Sequence, residues 1–253
     1  MSIAALLFQA LRSSVLCLVA LVASFGSLRA SDKAEGNAEE DWMQFYYQKP
    51  APTRLEAEFT QYSRLGYLHK DGSVPPIAAF LGQLCVQNEN LLPQWEAFFL
   101  KLPKEDRSLF VVALWLAHSD AAQKKLEELA TRNDEMGQRA KAVVGKPPAR
   151  DLRKITAQAP EELDMCWGAF FATGDQGYAL TVLRYAAKIP KPGAIDLTHE
   201  SAKWSVLALT RTHPRIREIR DEFLRTASEE EKKQLLESAS PSAPQNAAPQ
   251  EKK

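Results

Sequence analysis

Leu109 to Ala117 read LFVVALWLA, nine apolar residues in a row, and how they fold decides the class of the whole chain. A run this short suits a buried strand or a buried helix equally, and periodicity alone does not separate the two. The surroundings do. No other strand candidate exists for it to pair with, and the segments on either side carry a helical period. The run is therefore read as a central helix buried on most sides, and the chain as all-α.

Working back from it, Asn90 caps a helix with Leu91, Trp95, Phe98, Phe99 and Leu102 on one face. Before that, Pro75 and Pro76 open a helix, since proline in the first turn removes no needed donor. Ile77, Phe80, Leu81, Leu84 and Cys85 follow at i, i+3, i+4, i+7 and i+8. Thr53 and Glu56 have capping-box spacing, ahead of a stripe of Leu55, Phe59, Tyr62 and Leu65. Working forward, Ser119 or Asp120 caps a helix with Ala122, Leu126, Leu129 and Ala130. Gly145 to Pro148 marks a linker. Pro160, Glu161 and Glu162 then open a helix with Leu163, Cys166, Trp167, Phe170 and Phe171, because acids in a first turn complement the helix dipole. Gly174 ends it. Further helices are expected over 177–189, 198–212, 214–226 and 228–237. The sum is a helical domain over 42–237, an array of about ten helices stacked as hairpins, with candidate halves 42–144 and 150–237.

Ala113 to Asp120 (ALWLAHSD) resembles Gly168 to Asp175 (GAFFATGD) at a spacing of 55 residues. Each is an aromatic helix end, a tight turn and a new helix. Stacked pairs of this kind build α-solenoids, although two unrelated hairpins would look the same.

The ends read differently. Residues 1–30 carry Arg12, the apolar run from Val15 to Phe25 and a small-residue end at Ala30. That run falls short of the roughly 20 residues that span a bilayer and fits a cleaved export signal. A periplasmic or secreted protein with no membrane span after cleavage is the expectation. Residues 31–41 (SDKAEGNAEED) read as a disordered acidic lead-in, and 238–253 as a disordered Ala/Pro/Ser-rich tail. Between lead-in and helices, Trp42, Phe45, Tyr46 and Tyr47 precede Pro50 and Pro52 and form an extended strap packing on the helices after it.

Without residues 1–30 the chain holds 30 basic and 32 acidic residues. So even a balance lacks the basic footprint of a nucleic-acid binder. Cys85 and Cys166 either pair as a disulfide, which an oxidising compartment permits, or remain two small buried hydrophobes. No catalytic, cofactor-binding or metal-ligating set stands out. Neither a nucleophile elbow nor a phosphate-binding glycine loop occurs. His199-Glu200 begins like a zinc-protease helix, but the second ligand position is Lys203, whose ammonium has no lone pair to offer. His69, His118 and His213 are scattered, and no acid stands alone in an apolar run. The basic stretches Arg139 to Lys154 and Arg211 to Arg225 read either as a patch for anionic glycans, headgroups or an acidic partner, or as a solvated linker and an ion-paired helix face.

Phe45 to Pro50, Ala79 to Gly82, Trp167 to Asp175, and Ala202 to Ser205 with His213-Pro214 resemble a family of exported all-helical bacterial proteins. The resemblance covers most of 42–224 and implies a bacterial exported domain. It carries no activity, ligand or catalytic residue with it. The functional expectation is an interaction or scaffold domain of the envelope with an unknown protein partner. A bundle binding an apolar ligand or lipid through Trp95, Phe98, Phe99, Trp115, Trp167, Phe170 and Phe171 is the alternative. An enzyme assembled from dispersed residues is the third reading. The candidate partner surface is Trp42, Phe45, Tyr46 and Tyr47 with the turn Thr173, Gly174 and Asp175.

Overall fold

The computed structural model describes residues 41–146, 151–189 and 196–236; the export signal, nearly all of the lead-in and the tail lie outside them. Among the described residues there are eleven α-helices and no strand. They are α1 (Leu55–Arg64), α2 (Val74–Gln87), α3 (Leu92–Phe99), α4 (Lys104–Ala117), α5 (Asp120–Ala130), α6 (Glu135–Val143), α7 (Pro160–Thr173), α8 (Gln176–Ala186), α9 (Leu197–Thr212), α10 (Pro214–Thr226) and α11 (Glu229–Leu236). The all-α array of about ten helices is what the chain forms.

LFVVALWLA lies in α4, but the helix buried on most sides is α2. Every residue from Pro76 to Gly82 is buried, whereas Val112, Trp115, Leu116 and Ala117 of α4 are only half-buried. The reason is position: α2 packs against α4 on one side and, most extensively, against α7 on the other. A single apolar cluster runs from Trp42 to Ile219. The candidate halves 42–144 and 150–237 therefore share a core, because α2 and the strap of the first half pack on α7 of the second.

Two helical triples flank α2. Helices α4, α5 and α6 contact one another, and so do α7, α8 and α9. α4 and α7 are each 14 residues long, α5 and α8 each 11, and the second pair starts 56 residues after the first. The spacing is thus 56 rather than 55. The sequence match aligns Asp120 with Asp175, but their roles differ. Ser119 is the cap of α5, its hydroxyl accepting from Ala122 N–H, and Asp175 is the cap of α8, accepting from Gly177 N–H. The left-handed residue before each cap is His118 (φ 48°) in one hairpin and Gly174 (φ 69°) in the other.

Small residues set the spacing around α2. A Cβ on Gly168 would stand 2.0 Å from the Pro76 carbonyl oxygen, so the backbones of α7 and α2 meet there. On the other side a Cβ on Gly82 would lie 3.1 Å from the Ala113 oxygen, tight but open. Both cysteines are buried free thiols, so no disulfide links them. Cys166 is two residues, about 200° of helix, from the face that Gly168 turns to α2. Its Sγ donates to the carbonyls of Leu152 and Glu162. Cys85 lies one turn beyond Gly82, on the side facing α4.

Three helix starts depart from expectation. Asn90 caps nothing: it lies in the 3-10 turn Glu89–Leu91, which leads into α3 at Leu92 with no side-chain cap. Thr53 forms no capping box: Pro52–Arg54 is a 3-10 turn running straight into α1, with no side-chain cap. Glu56 accepts from Gln94 Nε2 at 2.7 Å instead. The cap of α9 is Asp196, whose carboxylate accepts from His199 N–H at 3.0 Å.

Candidate functional site

The two segments singled out in the sequence as a partner surface meet in space, and they do so to pack. Trp42 and Tyr46 are buried, edge-on to Phe80 at 5.4 Å each. Trp42 Nε1 donates to the Ala51 carbonyl. Phe45 stacks on the fully buried His213 at 4.7 Å, and Tyr47, Phe170 and Phe171 close the rest of its ring. His213 Nε2 donates to the Gln44 carbonyl while Nδ1 accepts from Ile216 N–H and caps α10. Burial pushes this imidazole below its ordinary value and keeps it neutral. Gly174 lies under the Tyr47 ring, where a Cβ would come within 2.5 Å of Cδ2. Thr173 Oγ1 donates to the Ala169 carbonyl, and Asp175 caps α8. Trp42 and Tyr46 are thus buried, while Phe45, Tyr47, Thr173, Gly174 and Asp175 stay half-buried.

Packing also accounts for the aromatics named for an apolar ligand. Trp95, Phe98, Phe99, Trp167, Phe170 and Phe171 are buried in the common core, and Trp115 is half-buried against it. Trp167 Nε1 donates to Ser205 Oγ at 3.1 Å, tying α7 to α9.

Two buried acids escape sequence reasoning. Asp106, in the first turn of α4, is fully buried and takes two donors. Ser63 Oγ donates to Oδ2 at 2.5 Å and His69 Nδ1 to Oδ1 at 2.6 Å. This closed cluster ties the turn after α1 to α4. Asp164, in α7, is 4% exposed with no hydrogen-bond donor among the described residues. Burial, and secondly the charge of Glu161, push its carboxyl up to about 8. The available signal is its place four residues before Gly168, on the face that packs against α2. His199 Nδ1 donates to the Tyr185 carbonyl, and its buried Nε2 has no hydrogen-bond partner among the described residues, with Glu200 Oε1 3.9 Å away. Among those residues no cluster of ligating side chains could hold a metal.

The cavity that can receive something lies beside α8. Arg153 to Thr156, with Thr181, Arg184 and Tyr185 of α8 and Lys188 just beyond its end, line a half-open cleft of about 400 Å³. The spacing 181, 184, 185 is one helical face, and residues 153–156 lie beside it. Thr181 Oγ1 donates to the Arg153 carbonyl at 2.9 Å and Tyr185 Oη to that of Ala157 at 2.9 Å. Burial raises the Tyr185 phenol, so it stays protonated for that bond. Of the four cations, Arg153 is held by Asp151 and Asp175, and Lys188 reaches Asp196 at 3.4 Å. Lys154 and Arg184 pair with no carboxylate among the described residues. Both are exposed, and with Arg153 and Lys188 they give the cleft four cations. Arg153 and Lys154 belong to the basic stretch read in the sequence. Arg184 and Lys188 do not, because only the folding of α8 brings them alongside.

Comparison with family models, with curated proteins and with solved structures yields no match. No described helix is long and apolar enough to cross a membrane.

Proposed function

We propose that this chain is an exported interaction domain of the bacterial envelope, and that the cleft beside α8 docks an acidic segment of a partner protein. The observation that carries the reading is the pair Lys154 and Arg184, unpaired at one hollow in a chain whose overall charge is balanced. Lys125 pairs with Glu96 and Glu128, Arg132 with Asp134 and Arg215 with Glu218, whereas Lys101, Lys104 and Arg225, like Lys154 and Arg184, form no ion pair among the described residues; Lys154 and Arg184 are set apart by lining one hollow together. An unpaired cation pair costs some self-repulsion, which an arriving carboxylate relieves. The export reading rests on residues 1–30, and the envelope setting on the family resemblance.

The test is in-cell crosslinking from a photoreactive side chain at position 156, comparing the wild-type chain with the Lys154→Glu/Arg184→Glu variant. The expected result is one partner, joined through an acidic segment and lost in the variant. Equal capture by both chains, or a joined segment without acids, overturns the proposal.

A further inference from the structure

Arg184 lines a second hollow as well. Gln176 and Leu180 of α8, with Ile219, Glu222, Phe223 and Thr226 of α10, enclose about 380 Å³ on its other side. On α8 the first hollow is lined by Thr181 and Tyr185, the second by Gln176 and Leu180. At 100° and 1.5 Å per residue the two pairs lie about 140° apart around the helix and about 7 Å apart along it, with Arg184 on the ridge between them.

The two hollows differ in chemistry. The first gathers four cations. The second shares Arg184 and adds Glu222, so its charge is close to balanced, and its walls include the half-buried Leu180 and Phe223 beside Gln176 and Thr226. An acid entering the second hollow gains little there; an apolar side chain buries area against Leu180 and Phe223. We infer that the partner segment is bipartite: acids in the first hollow and one large apolar residue in the second, passing over Arg184. This rests on the docking role proposed above and specifies its ligand. On a helix roughly 10–12 Å across that path is about 15 Å, or about five residues of extended chain at ~3.3 Å each. The expected motif is a pair of acids with a Leu or Phe about five positions away. A free phosphate or a lipid headgroup would use the first hollow alone.

Fluorescence anisotropy with the purified chain and three labelled peptides tests this. One contains Asp-Asp-Ser-Ser-Ser-Ser-Leu, one replaces its Leu by Ser, and one replaces its two Asp by Ser. The first is expected to bind at least 5-fold more tightly than the second, and the third not to bind. Leu180→Asn should erase the difference between the first two peptides without touching acid-dependent binding. Circular dichroism of the variant establishes that it is folded. Phe223→Leu, which keeps an apolar wall, should preserve the difference. Equal binding of the first two peptides to wild type overturns the bipartite ligand and leaves the acidic docking role standing. Failure of both acidic peptides to exceed the third removes the docking role too. Displacement of the first peptide by millimolar inorganic phosphate, with no Leu preference, would assign the cleft to small anions instead.

Discussion

Hairpins α4–α5 and α7–α8 have the same lengths and the same left-handed turn, and both lean on α2, yet almost every polar feature differs between them. In the first, the buried acid has two donors, the turn residue is a histidine, and the outer helix is laced by Lys125 to Glu96 and Glu128. In the second, the buried acid has none, the turn is a glycine under Tyr47, and the outer helix carries Arg184 unpaired. At the 56-residue spacing Arg184 corresponds to Glu128, and Thr181 to its partner Lys125. The first hairpin pairs its buried acid, although the buried Trp115 Nε1 and Gln123 Nε2 have no hydrogen-bond partner among the described residues. The second leaves cations and a buried carboxyl uncompensated, and the cleft lies on it. On the docking role proposed above, recognition falls to the second hairpin, and the shared architecture alone does not announce it.

The largest effect is expected where the second hairpin meets α2. Gly168→Ala places a Cβ 2.0 Å from a backbone oxygen that belongs to a buried helix. Neither backbone can move alone, so the loss should exceed the ~1–3 kcal/mol usual for overpacking. Gly82→Ala meets the Ala113 oxygen at 3.1 Å and gains up to about 1 kcal/mol of helix propensity. Its net effect should stay within about 1 kcal/mol of zero. Urea unfolding of the two variants measures the asymmetry. Equal losses would mean that α2 sits symmetrically between the hairpins.

The buried acids should respond with opposite sign. Asp106→Asn removes charge-assisted bonds from Ser63 and His69 and should destabilise by about 1–3 kcal/mol at neutral pH. Asp164→Asn removes a carboxyl whose pKa rises on folding from 3.8 to about 8. Between those values the folded chain holds a proton that the unfolded chain has released. Stability therefore falls as pH rises through the window, by up to about 1.4 kcal/mol per unit. The variant should lose that slope and, at pH 8, be more stable than wild type by roughly 2–4 kcal/mol. Thermal unfolding from pH 4 to 9 reads both. A slope unchanged in Asp164→Asn would show that this carboxyl is charged in the folded chain.

The helices and their apolar faces are legible in the sequence because both rest on local spacing. Ile77, Phe80, Leu81, Leu84 and Cys85 are all buried as their period requires. The α7 stripe is buried too. Which helix lies at the centre is not legible. LFVVALWLA is the more apolar run, but centrality belongs to α2, whose small residues let α7 approach its backbone. The strap aromatics read equally as packing and as a partner surface, and only the neighbours of His213 and Phe80 decide for packing. The cleft is half legible: Arg153 and Lys154 stand out as a basic stretch, whereas Arg184 and Lys188 look like an ordinary helix face. Asp164 goes unseen because one acid among Leu163, Met165 and Cys166 is ambiguous until the packing face is known.

The smallest effect separates stability from recognition most cleanly. Lys125→Gln breaks contacts to Glu96 at 3.2 Å and Glu128 at 2.5 Å, and its side chain is only 14% exposed. Surface pairs are typically worth about 0.2–1 kcal/mol, so a loss of about 0.5–1 kcal/mol is expected, with acidic-peptide binding unchanged. Arg184→Gln breaks no ion pair among the described residues. It should leave the unfolding midpoint within about 0.3 kcal/mol of wild type, since substitutions away from specific features stay within about ±0.5, yet weaken the acidic peptide several-fold. Raising salt should produce the same weakening in wild type, because these charges are exposed and screened over about 10 Å at 0.1 M. If Arg184→Gln instead destabilised the chain as Lys125→Gln does, Arg184 would have a partner inside the fold. The difference between the two hairpins would then be one of pairing geometry rather than of role.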